Sequence, residues 1–337
     1  MRALSVEAPG TAVVVERAEP TLAAGEALLR VAYVGLCGTD LGTFTGKNPL
    51  VTYPRVIGHE ISGTVVDVAP DVDRAWLGAR VAVNPYKHCG ECAACVIGRP
   101  NACRRNETLG VQREGALADL AAVPVERLVS SSRLSLDALA LVEPFSIGMH
   151  AVVRTGVTAA DTVLVLGCGG VGTGAIAAAA SRDARVIGLD VDAGKRSLAR
   201  EFGASATVDA TAADAARQIT DLTSGEGPSV VIEAAGSPAT YRFALEIVAS
   251  GGRVGYIGWL KGDVPLEARL IVFKEVTIFG SRNATDELAA VVQMFEGGRV
   301  DPLRVVTDRV SLEAAPDAMN RWAAAPAGIG KILVAVD

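Results

Sequence analysis

The sequence predicts an α/β protein of about two domains, in which a β-rich first part precedes a doubly wound parallel sheet. Residues 1 to about 140 contain short β-branched runs separated by glycine and proline, a pattern typical of strands joined by long loops. From about 142 to 280, apolar strands alternate with alanine-rich helical stretches, which indicates a parallel sheet with helices on both faces. The chain has 337 residues, half of them hydrophobic, which is enough to form a sizeable core.

The predicted strands follow in chain order. In the β-rich part they are EALLRVAYVG, GTVVDVA, ARVAVNPY and LADLAAVPVERLVS. In the alternating part they are DTVLVLG (161–167), ARVIGLD (184–190), ATVDA (206–210), SVVIEAAG (229–236), GGRVGYIG (251–258) and EVTIFGS (275–281), with helical stretches such as 193–202 and 238–249 between them. We therefore predict domains at 1–141 and 142–279. The segment 280–337, which has two helical stretches and ends in the strand GKILVAV, is expected to return to the first domain.

The charge pattern argues against nucleic acid as a main partner, because the formal net charge is −6 and lysine and arginine form no basic run. The N-terminus MRALSVEAPG lacks the apolar segment and cleavage site of a secretory signal, so we expect a cytoplasmic protein. No residue between Asp161 and Arg182 is charged, a length that a membrane span requires. Its β-branched beginning and its glycines favour a buried strand, turn and helix, and we expect no membrane partner.

The stretch VLVLGCGGVGTGAIAAAA contains the pattern G-x-G-x-x-G. A bare match is weak evidence in a chain with 36 glycines, but this one follows a strand and opens a helix, the context of a dinucleotide-binding turn. Glycine lets the backbone approach a pyrophosphate, which the free N–H groups of the helix N-terminus then bind. The predicted cofactor-binding residues of this loop are Gly167, Gly169, Gly170, Val171 and Gly172.

An acidic residue at the end of the next strand should bind the ribose hydroxyls of the dinucleotide. Asp190 ends ARVIGLD and meets this expectation, with Asp192 as an alternative. Because a carboxylate repels a 2′-phosphate, we predict NAD rather than NADP. Lys195, one helical turn further on, either contacts the adenosine ribose or is a solvated charge.

Four of the six cysteines form the pattern C-x₂-C-x₂-C-x₇-C at Cys89, Cys92, Cys95 and Cys103. In a large chain without a secretory signal, such crowding indicates a metal site more than disulfides. Four thiolates at this spacing can surround one tetrahedral zinc, and since all four positions are filled, the site is closed and structural. A zinc ribbon that binds nucleic acid is the alternative, but no basic or aromatic surface accompanies the motif.

Cys37, in VGLCGTDLG, and His59, in RVIGHEISGTVVDVA, remain as candidate ligands of a second zinc. An open catalytic site needs three protein ligands. Glu143, in LVEPFSIGMH, is a candidate third ligand because it lies at the junction of the two sequence patterns, and Glu60 competes with it. Cys168 lies inside the glycine loop and is poorly placed.

With these motifs together, the chain resembles the zinc-dependent medium-chain dehydrogenases, the alcohol dehydrogenase family, over essentially its full length. GHEISGTVVDVAPDV (58–72) is similar to the zinc signature of that family, and the four-cysteine segment, GCGGVG and Asp190 follow in the family's order. YPRVIGHE (53–60), EPFSIGMHA (143–151) and GSRNAT (280–285) look most like the polyol and sugar-acid branch, with its sorbitol, L-threonine and L-gulonate, L-idonate or L-galactonate 5-dehydrogenases.

The resemblance implies a GroES-like catalytic domain, with a structural-zinc lobe at about 86–106, and a Rossmann NAD-binding domain. It implies two zinc ions per chain and the reversible, NAD-linked oxidation of a secondary hydroxyl of a polyol, sugar acid or cyclitol to a ketone. Cys37, His59 and Glu143 would bind the catalytic zinc, with Glu60 as a neighbouring carboxylate or an alternative ligand. Bacterial members of this length are usually homotetramers or homodimers.

Further roles follow from the same resemblance. Asp40 would hold the second ring nitrogen of His59, and Thr39 would hydrogen-bond the substrate oxygen. Lys331, in the final strand, would lie near the pyrophosphate. The chain departs from many relatives at Gly42, where a histidine passes the proton to solvent, so water, a ribose hydroxyl or another side chain must take that task. Lys47 is near in sequence.

Arg282, Asn283 and the loop 43–53 are the positions where we expect substrate contacts. Arg282 and Asn283 are either ligands of a sugar's carboxylate and hydroxyls or a solvated turn, and Arg55 is either a carboxylate clamp or an ordinary strand-end charge. Alternative substrates are L-threonine, other small secondary alcohols or diols, and amino-cyclitols. The alternative from another class is a non-catalytic NAD-binding protein.

Overall fold

The computed structural model describes residues 1–325 and 329–336 and divides the chain into two compact units. The first unit contains Met1–Glu143 and Pro302–Asp337, and the second contains Pro144–Asp301. The first is built mainly from antiparallel strands and the second from a parallel sheet with helices, so the predicted α/β fold class is confirmed. Residues 326–328 and 337, part of the predicted returning segment, lie outside the described residues.

The chain begins with strands and short helices, in the order β1 (Arg2–Ala8), β2 (Thr11–Glu16), β3 (Glu26–Leu36), α1 (Gly38–Phe44), β4 (Arg55–Val56), β5 (Glu60–Val68), β6 (Arg80–Val83), β7 (Tyr86–Lys87), α2 (Ala93–Val96), β8 (Glu107–Thr108), β9 (Leu120–Pro124), β10 (Leu128–Ser130) and α3 (Leu136–Leu139). The longer helix α4 (Val142–Arg154) follows.

Strands and helices then alternate, in the order β11 (Thr162–Leu166), α5 (Gly170–Ala180), β12 (Arg185–Asp190), α6 (Ala193–Glu201), β13 (Ala206–Asp209), α7 (Ala215–Leu222), β14 (Val230–Glu233), α8 (Pro238–Ile247), β15 (Arg253–Tyr256), α9 (Arg269–Phe273), β16 (Thr277–Gly280) and α10 (Glu287–Glu296). The last elements are β17 (Val306–Ser311), α11 (Ala315–Ala324) and β18 (Lys331–Ala335).

The largest sheet of the first unit runs in the order β10-β6-β5-β3-β18-β17, with β9 also paired to β3. Its core is formed by apolar residues of these strands, for example Leu29 and Val31, which are fully buried. The antiparallel pairing of β3 with β5 sets Gly35 opposite Glu60, and the pairing of β3 with β18 sets Leu36 opposite Ile332. The carboxyl end of β3, the start of β5 and the start of β18 therefore meet.

The second unit has a six-stranded parallel sheet in the order β13-β12-β11-β14-β15-β16. Numbered within the unit this is 3-2-1-4-5-6, the order of doubly wound dinucleotide-binding sheets. The strand order reverses between β11 and β14, and ligands of such sheets bind beyond the carboxyl ends of the strands at that point. All six strands predicted for this part of the chain are present.

The charge-free stretch between Asp161 and Arg182 is strand β11, the glycine turn and helix α5, as the sequence predicts. Most of α5 is buried, because its small side chains let it pack closely on the sheet. Among residues 1–325 and 329–336, no helix is both long enough and apolar enough to cross a membrane.

One domain boundary differs from the prediction. The sequence analysis returned the chain to the first domain at 280, but residues as far as Asp301 group with the second unit. β16 is the sixth strand of the parallel sheet, and on α10 the ring of Phe295 packs edge-on against Phe145, with 5.1 Å between the ring centroids. These contacts hold β16 and α10 in the second unit, so the return begins at Pro302.

A polar network joins the amino-terminal ends of the strands of the second unit. The buried carboxylate of Asp161 accepts hydrogen bonds from the backbone N–H of Thr158, at 2.8 Å, from Ser229 Oγ, at 2.8 Å, and from the guanidinium of Arg253. Arg253 also donates to two carbonyl oxygens just beyond the end of α4. Burial alone would raise the pKa of Asp161, but these donors outweigh it and lower the pKa.

Asp161→Asn should lower the free energy of unfolding at pH 7 by about 1–3 kcal/mol, because the amide cannot pair with Arg253. Since the folded pKa is lowered, the stabilisation is present above the unfolded carboxyl pKa of about 3.9 and is lost as the pH falls through the folded value. Urea unfolding should therefore show the difference from wild type shrinking below about pH 4. Asp183→Asn, at an exposed pair with Arg299, is the control and should change stability by less than about 0.5 kcal/mol. A difference that persists undiminished in strong acid contradicts the role of the Asp161 carboxylate.

Candidate metal and dinucleotide sites

The four cysteines of the segment between β7 and β8 form a compact sulfur cluster. Neighbouring Sγ atoms lie 3.5 Å apart for Cys92 and Cys95 and for Cys89 and Cys103, 3.8 Å for Cys92 and Cys103, and 3.9 Å for Cys89 and Cys95. A disulfide requires about 2.05 Å. Four sulfurs each about 2.3 Å from a zinc ion lie about 3.8 Å apart, so the cluster fits a closed tetrahedral zinc site.

Backbone N–H groups favour thiolates in this cluster. Those of Glu91 and Cys92 lower the pKa of Cys89 to about 5, and that of Cys95 lowers the pKa of Cys92. Partial burial and the neighbouring sulfurs raise the pKa of Cys95 to about 11, because they oppose a further negative charge. A divalent cation would remove that opposition, which is the coupling of metal binding to thiol ionisation expected of a zinc site.

A second group consists of Cys37, His59 and Glu60, whose ligand atoms lie within 4.8 Å of one another. Cys37 follows β3 and caps α1, His59 precedes β5, and Glu60 is the first residue of β5. His59 and Glu60 are buried and Cys37 is half-buried. The group includes Glu60, which the sequence leaves as the competitor of Glu143 for the third ligand position, and it does not include Glu143.

Asp40 joins the two ligand segments. Its Oδ2 accepts a hydrogen bond from the backbone N–H of Cys37, at 2.9 Å, and its Oδ1 accepts one from the N–H of Gly58, at 3.3 Å. The predicted partner, His59 Nδ1, lies 3.7 Å from Asp40 Oδ1, beyond hydrogen-bond distance, and has no hydrogen-bond partner among the described residues. Asp40 therefore holds the backbone at Cys37 and at Gly58, the residue before His59. Its carboxylate lies beside the Nδ1 side of the His59 ring.

Glu60 is held by Lys331, the first residue of β18. The Lys331 ammonium lies 2.6 Å from both carboxylate oxygens of Glu60 and also donates to the carbonyl oxygen of Leu36, at 3.1 Å. The carboxylate lies over Gly35, where a Cβ would be only 2.0 Å from Glu60 Oε2. In this structure Lys331 therefore binds a member of the group of Cys37, His59 and Glu60. The sequence predicts a contact between Lys331 and the pyrophosphate. Sequence reasoning also missed Gly35, which no motif marks.

Glu143, the second residue of α4, lies beside this group. Its Oε1 accepts a hydrogen bond from the phenol of Tyr86, and both side chains are buried. Burial, followed by the charge of Glu143 and its hydrogen bond, raises the pKa of Tyr86 well above its usual value. Tyr86 was missed by sequence reasoning, although it lies three residues before Cys89 in the predicted zinc lobe.

Acidic groups dominate the surroundings of His59. Burial opposes a charge on its imidazole, but the charge of Asp40, the hydrogen bond with Cys37 and the charge of Glu143 outweigh it and raise the pKa of His59 well above its usual value. Burial also raises the pKa of Asp40 and brings that of Glu143 to about 7. A buried pocket that disfavours its own negative charges would be stabilised by a divalent cation, and thiolate, imidazole and carboxylate are ligands that zinc takes in open sites. The residues present fit a zinc ion.

The glycine loop between β11 and α5 has the geometry that a pyrophosphate requires. Gly167 has φ +92°, a left-handed conformation that glycine adopts without strain. A Cβ at Gly172 would lie 1.8 Å from the carbonyl oxygen of Gly167, so this glycine allows close packing of helix on strand. At Gly169 and Gly170 a Cβ would meet no atom within 4 Å, so the first turn of α5, which includes Val171, is open to an anion.

Asp190 ends β12 beside this loop. Its Oδ2 accepts a hydrogen bond from the N–H of Cys168, at 2.7 Å, and its Oδ1 accepts one from the N–H of Asp192, at 2.9 Å. Asp192 instead caps α6 by accepting from the N–H of Lys195, at 2.9 Å. Burial raises the pKa of the Cys168 thiol to about 12, which makes it a poor metal ligand. Arg196 donates to the carbonyl oxygen of Asp190 and to a neighbouring carboxylate.

The predicted substrate contacts lie in both units. In the first unit, Arg55 forms an ion pair with Glu114, at 3.0 Å, and donates to Thr52 Oγ1, so its guanidinium already has a carboxylate partner. In the second unit, Arg282 is exposed and follows β16 at the carboxyl end of the sheet. Its neighbour Asn283 has φ +53°, and the Nδ2 atom of Asn283 is buried without a hydrogen-bond partner among the described residues.

Thr39 is half-buried in the first turn of α1, two residues after Cys37. Gly42 lies further along the same helix and supplies no side chain to pass on a proton. The backbone N–H of Lys47 donates to the carbonyl oxygen of Gly42, at 2.8 Å, so the backbone of Lys47 lies beside Gly42.

Two family models match the chain, one described as alcohol dehydrogenase GroES-like domain, over residues 23–133, and one as zinc-binding dehydrogenase, over residues 170–297. L-galactonate-5-dehydrogenase of Escherichia coli is 33% identical over 92% of this chain and 91% of its own length. Sorbitol dehydrogenase of Bacillus subtilis is 33% identical over 90% of this chain and 88% of its own length. A zinc-binding dehydrogenase of Sinorhizobium meliloti, solved with NADP bound, has a TM-score of 0.93 at 32% identity and covers 99% of both chains.

These matches extend over both units, and the relatives are named dehydrogenases. The four-cysteine cluster lies in the first matched range, and Asp190 lies in the second. The chain therefore belongs to the zinc-type alcohol dehydrogenase family, oxidoreductases that act on CH–OH groups of small molecules with zinc and a nicotinamide cofactor.

Proposed function

We propose that this enzyme oxidises a secondary hydroxyl of a polyol, sugar acid or cyclitol to a ketone, reversibly and with NAD. The observation that carries the proposal is the largely buried group of Cys37, His59 and Glu60, which offers a zinc ion three ligands, the number that an open catalytic site uses. Relatives named for L-galactonate and sorbitol support the substrate class. A second zinc, on the four cysteines, has a structural role.

The residues of the first unit prepare the oxidation of the alcohol. When bound, zinc lowers the pKa of the substrate hydroxyl and the nicotinamide accepts the hydride. Asp40 holds the backbone of both ligand segments, and Lys331 holds Glu60 in place. Thr39 accepts the proton that the hydroxyl loses and passes it to water, because Gly42 supplies no relay side chain.

Glu60 is the proposed third ligand. It lies in the compact group with Cys37 and His59, and Glu143 does not. Glu143, the third ligand that the family resemblance implies, is the alternative.

The direct test of the proposed function combines zinc content with activity. Wild-type protein should carry two zinc ions per chain by mass spectrometry and should reduce NAD with at least one member of a panel of hexonates, polyols and cyclitols. Glu60→Ala should keep one zinc per chain and lose about 100-fold or more of its activity, since several kcal/mol of transition-state stabilisation come from the metal. Glu7→Ala, which removes an exposed carboxylate of β1, is the control and should change neither quantity.

Two outcomes would contradict the proposal. Two zinc ions without NAD reduction across the panel would favour a non-catalytic NAD-binding protein. Two zinc ions in Glu60→Ala, together with one in Glu143→Ala, would return the third ligand to Glu143.

Asp190 supports NAD as the preferred cofactor, although the Sinorhizobium relative binds NADP. Its buried carboxylate ends β12 beside the glycine loop, where a 2′-phosphate would be repelled. Arg196, the nearby cation that would favour such a phosphate, is already engaged by the Asp190 carbonyl oxygen and by Asp209, each at 2.8 Å.

Asp190→Ala should weaken NAD binding by about 10- to 100-fold, the loss of charge-assisted hydrogen bonds to the ribose, and should leave NADP binding unchanged or tighter. Calorimetric titration of both cofactors measures this. Asp192→Ala is the matched control, because that carboxylate caps α6, and it should keep the preference for NAD. If cofactor preference changes in Asp192→Ala and not in Asp190→Ala, the assignment is wrong.

We also propose that the enzyme is a homodimer joined through the edge of its parallel sheet. β16 is an edge strand, whose unpaired N–H and C=O groups invite pairing with another strand. Large apolar side chains are exposed near it, with Phe273 86% exposed, Val272 83% and Trp259 78%. Such a patch is typical of a protein interface.

Wild-type protein should sediment at twice the chain mass of 34.7 kDa, and Phe273→Asp should sediment as a monomer because it buries a charge in the interface. Glu226→Lys, a charge change elsewhere on the surface of the second unit, should stay dimeric. A wild-type monomer at micromolar concentration would contradict this interface.

A further inference from the structure

An arginine of the second unit lies beside the predicted ribose-binding carboxylate. Arg196, in the first turn of α6, donates through one terminal guanidinium nitrogen to the carbonyl oxygen of Asp190, at 2.8 Å. Through the other terminal nitrogen it donates to Oδ2 of Asp209, also at 2.8 Å. The guanidinium therefore lies at the end of β12, where Asp190 is expected to bind the ribose of the cofactor.

The end of this strand is where a dinucleotide-binding sheet distinguishes NAD from NADP. A carboxylate there binds the free 2′-hydroxyl, whereas a nearby arginine accommodates a 2′-phosphate. A guanidinium suits that phosphate, because its planar N–H groups form paired, charge-assisted hydrogen bonds with phosphate oxygens. If the proposed preference for NAD holds, on which this inference rests, Arg196 has to be kept from binding such a phosphate.

Asp209 is placed next to Arg196 by the sheet itself. β12 and β13 are parallel neighbours, and their register sets Asp209 opposite Asp190. Oδ1 of Asp209 accepts hydrogen bonds from the backbone N–H of Thr211, at 2.8 Å, and from Thr211 Oγ1, at 2.7 Å. These bonds leave Oδ2 for Arg196. Hydrogen bonds from Thr211, followed by the charge of Arg196, lower the pKa of Asp209, so the carboxylate is ionised at neutral pH.

The pair of Arg196 and Asp209 can be rearranged by a ligand, because solvent reaches it. The side chain of Arg196 is 17% exposed and that of Asp209 is 38% exposed. Ion pairs that solvent reaches contribute little to folding stability, so losing this one should leave the fold intact. A phosphate in this place must instead compete with Asp209 for a guanidinium that already has two acceptors.

We propose that Asp209 is a specificity-determining residue, which holds the guanidinium of Arg196 and so withholds it from a 2′-phosphate. The two carboxylates act differently. Asp190 opposes the phosphate by charge repulsion, whereas Asp209 acts through the cation that the phosphate would need. Without the Asp209 carboxylate, Arg196 is free to turn to the phosphate.

Asp209→Asn tests this inference with little change of shape. The amide oxygen still accepts from Thr211, so the amide nitrogen takes the place of Oδ2 and faces the N–H groups of Arg196, which are also donors. In calorimetric titrations NADP should bind about 10-fold more tightly than to the wild type, roughly the value of one charge-assisted hydrogen bond. The affinity for NAD should stay within about 2-fold of the wild-type value.

Further variants separate the release of Arg196 from the loss of a negative charge. In the Arg196→Met background, the additional change Asp209→Asn should alter the affinity for NADP by less than about 2-fold, since the guanidinium is absent. Asp214→Asn, which removes the carboxylate of another aspartate–arginine pair, with Arg217 at 2.9 Å, is the matched control and should bind both cofactors as the wild type does. Asp209→Ser also removes the carboxylate and should show the same gain, so it tests the inference even if Asp209→Asn does not fold.

Unchanged NADP affinity in the Asp209 variants would overturn the inference. An equal gain in the Arg196→Met background or in Asp214→Asn would also overturn it, because the gain would then come from the lost charge alone. These results leave the proposed preference for NAD intact. A wild-type protein that binds NADP more tightly than NAD would instead overturn that preference and this inference with it.

Discussion

The buried ion pair between Glu60 and Lys331 is the interaction on which the group of Cys37, His59 and Glu60 depends. Both carboxylate oxygens lie 2.6 Å from the ammonium, and both side chains are almost fully buried. Loss of one partner of such a pair leaves an uncompensated charge, at a cost of about 3–5 kcal/mol. The pair forms because β18 adds to β3 at the same end where β5 begins, so the last strand of the chain completes a site that residues 37–60 begin.

Several residues of the first unit hold the group of Cys37, His59 and Glu60 in place. Asp40 holds the two ligand segments by their backbone, and Gly35 provides the space in which the Glu60 carboxylate lies. The ribbon of β7 and β8 holds Tyr86 against Glu143, and the segment between these two strands contains the four-cysteine cluster. The four-cysteine cluster and the Tyr86–Glu143 contact are therefore linked by one short piece of backbone.

Local spacing predicted the parts of the site that are set by neighbouring residues. The four cysteines, the glycine loop and Asp190 each act within a short segment, and the structure places them as compact local arrangements. Cys37 and His59 were also predicted, because a soft ligand and a histidine remained once the four-cysteine motif was assigned. The strands of the parallel sheet were also predicted along the chain, because each one is marked by its own short apolar segment.

The remaining features depend on contacts that the sequence pattern does not encode. The hydrogen-bond donors of the two carboxylates lie 57 and 271 residues away in the chain, Tyr86 for Glu143 and Lys331 for Glu60. Asp40 was expected to hydrogen-bond the imidazole of His59, but its two oxygens accept hydrogen bonds from backbone N–H groups. The boundary at Pro302 depends on the packing of α10 in the second unit, which helix propensity alone does not predict.

The proposed catalytic zinc ion is bound by Cys37, His59 and Glu60. Anomalous diffraction at the zinc absorption edge from crystals of the purified enzyme tests it directly. We expect two peaks per chain, one surrounded by the four cysteine sulfurs and one bonded to Cys37, His59 and Glu60, with Glu143 turned to Tyr86. A single peak at the four cysteines, or a second zinc bonded to Glu143 while Glu60 remains on Lys331 alone, would contradict it.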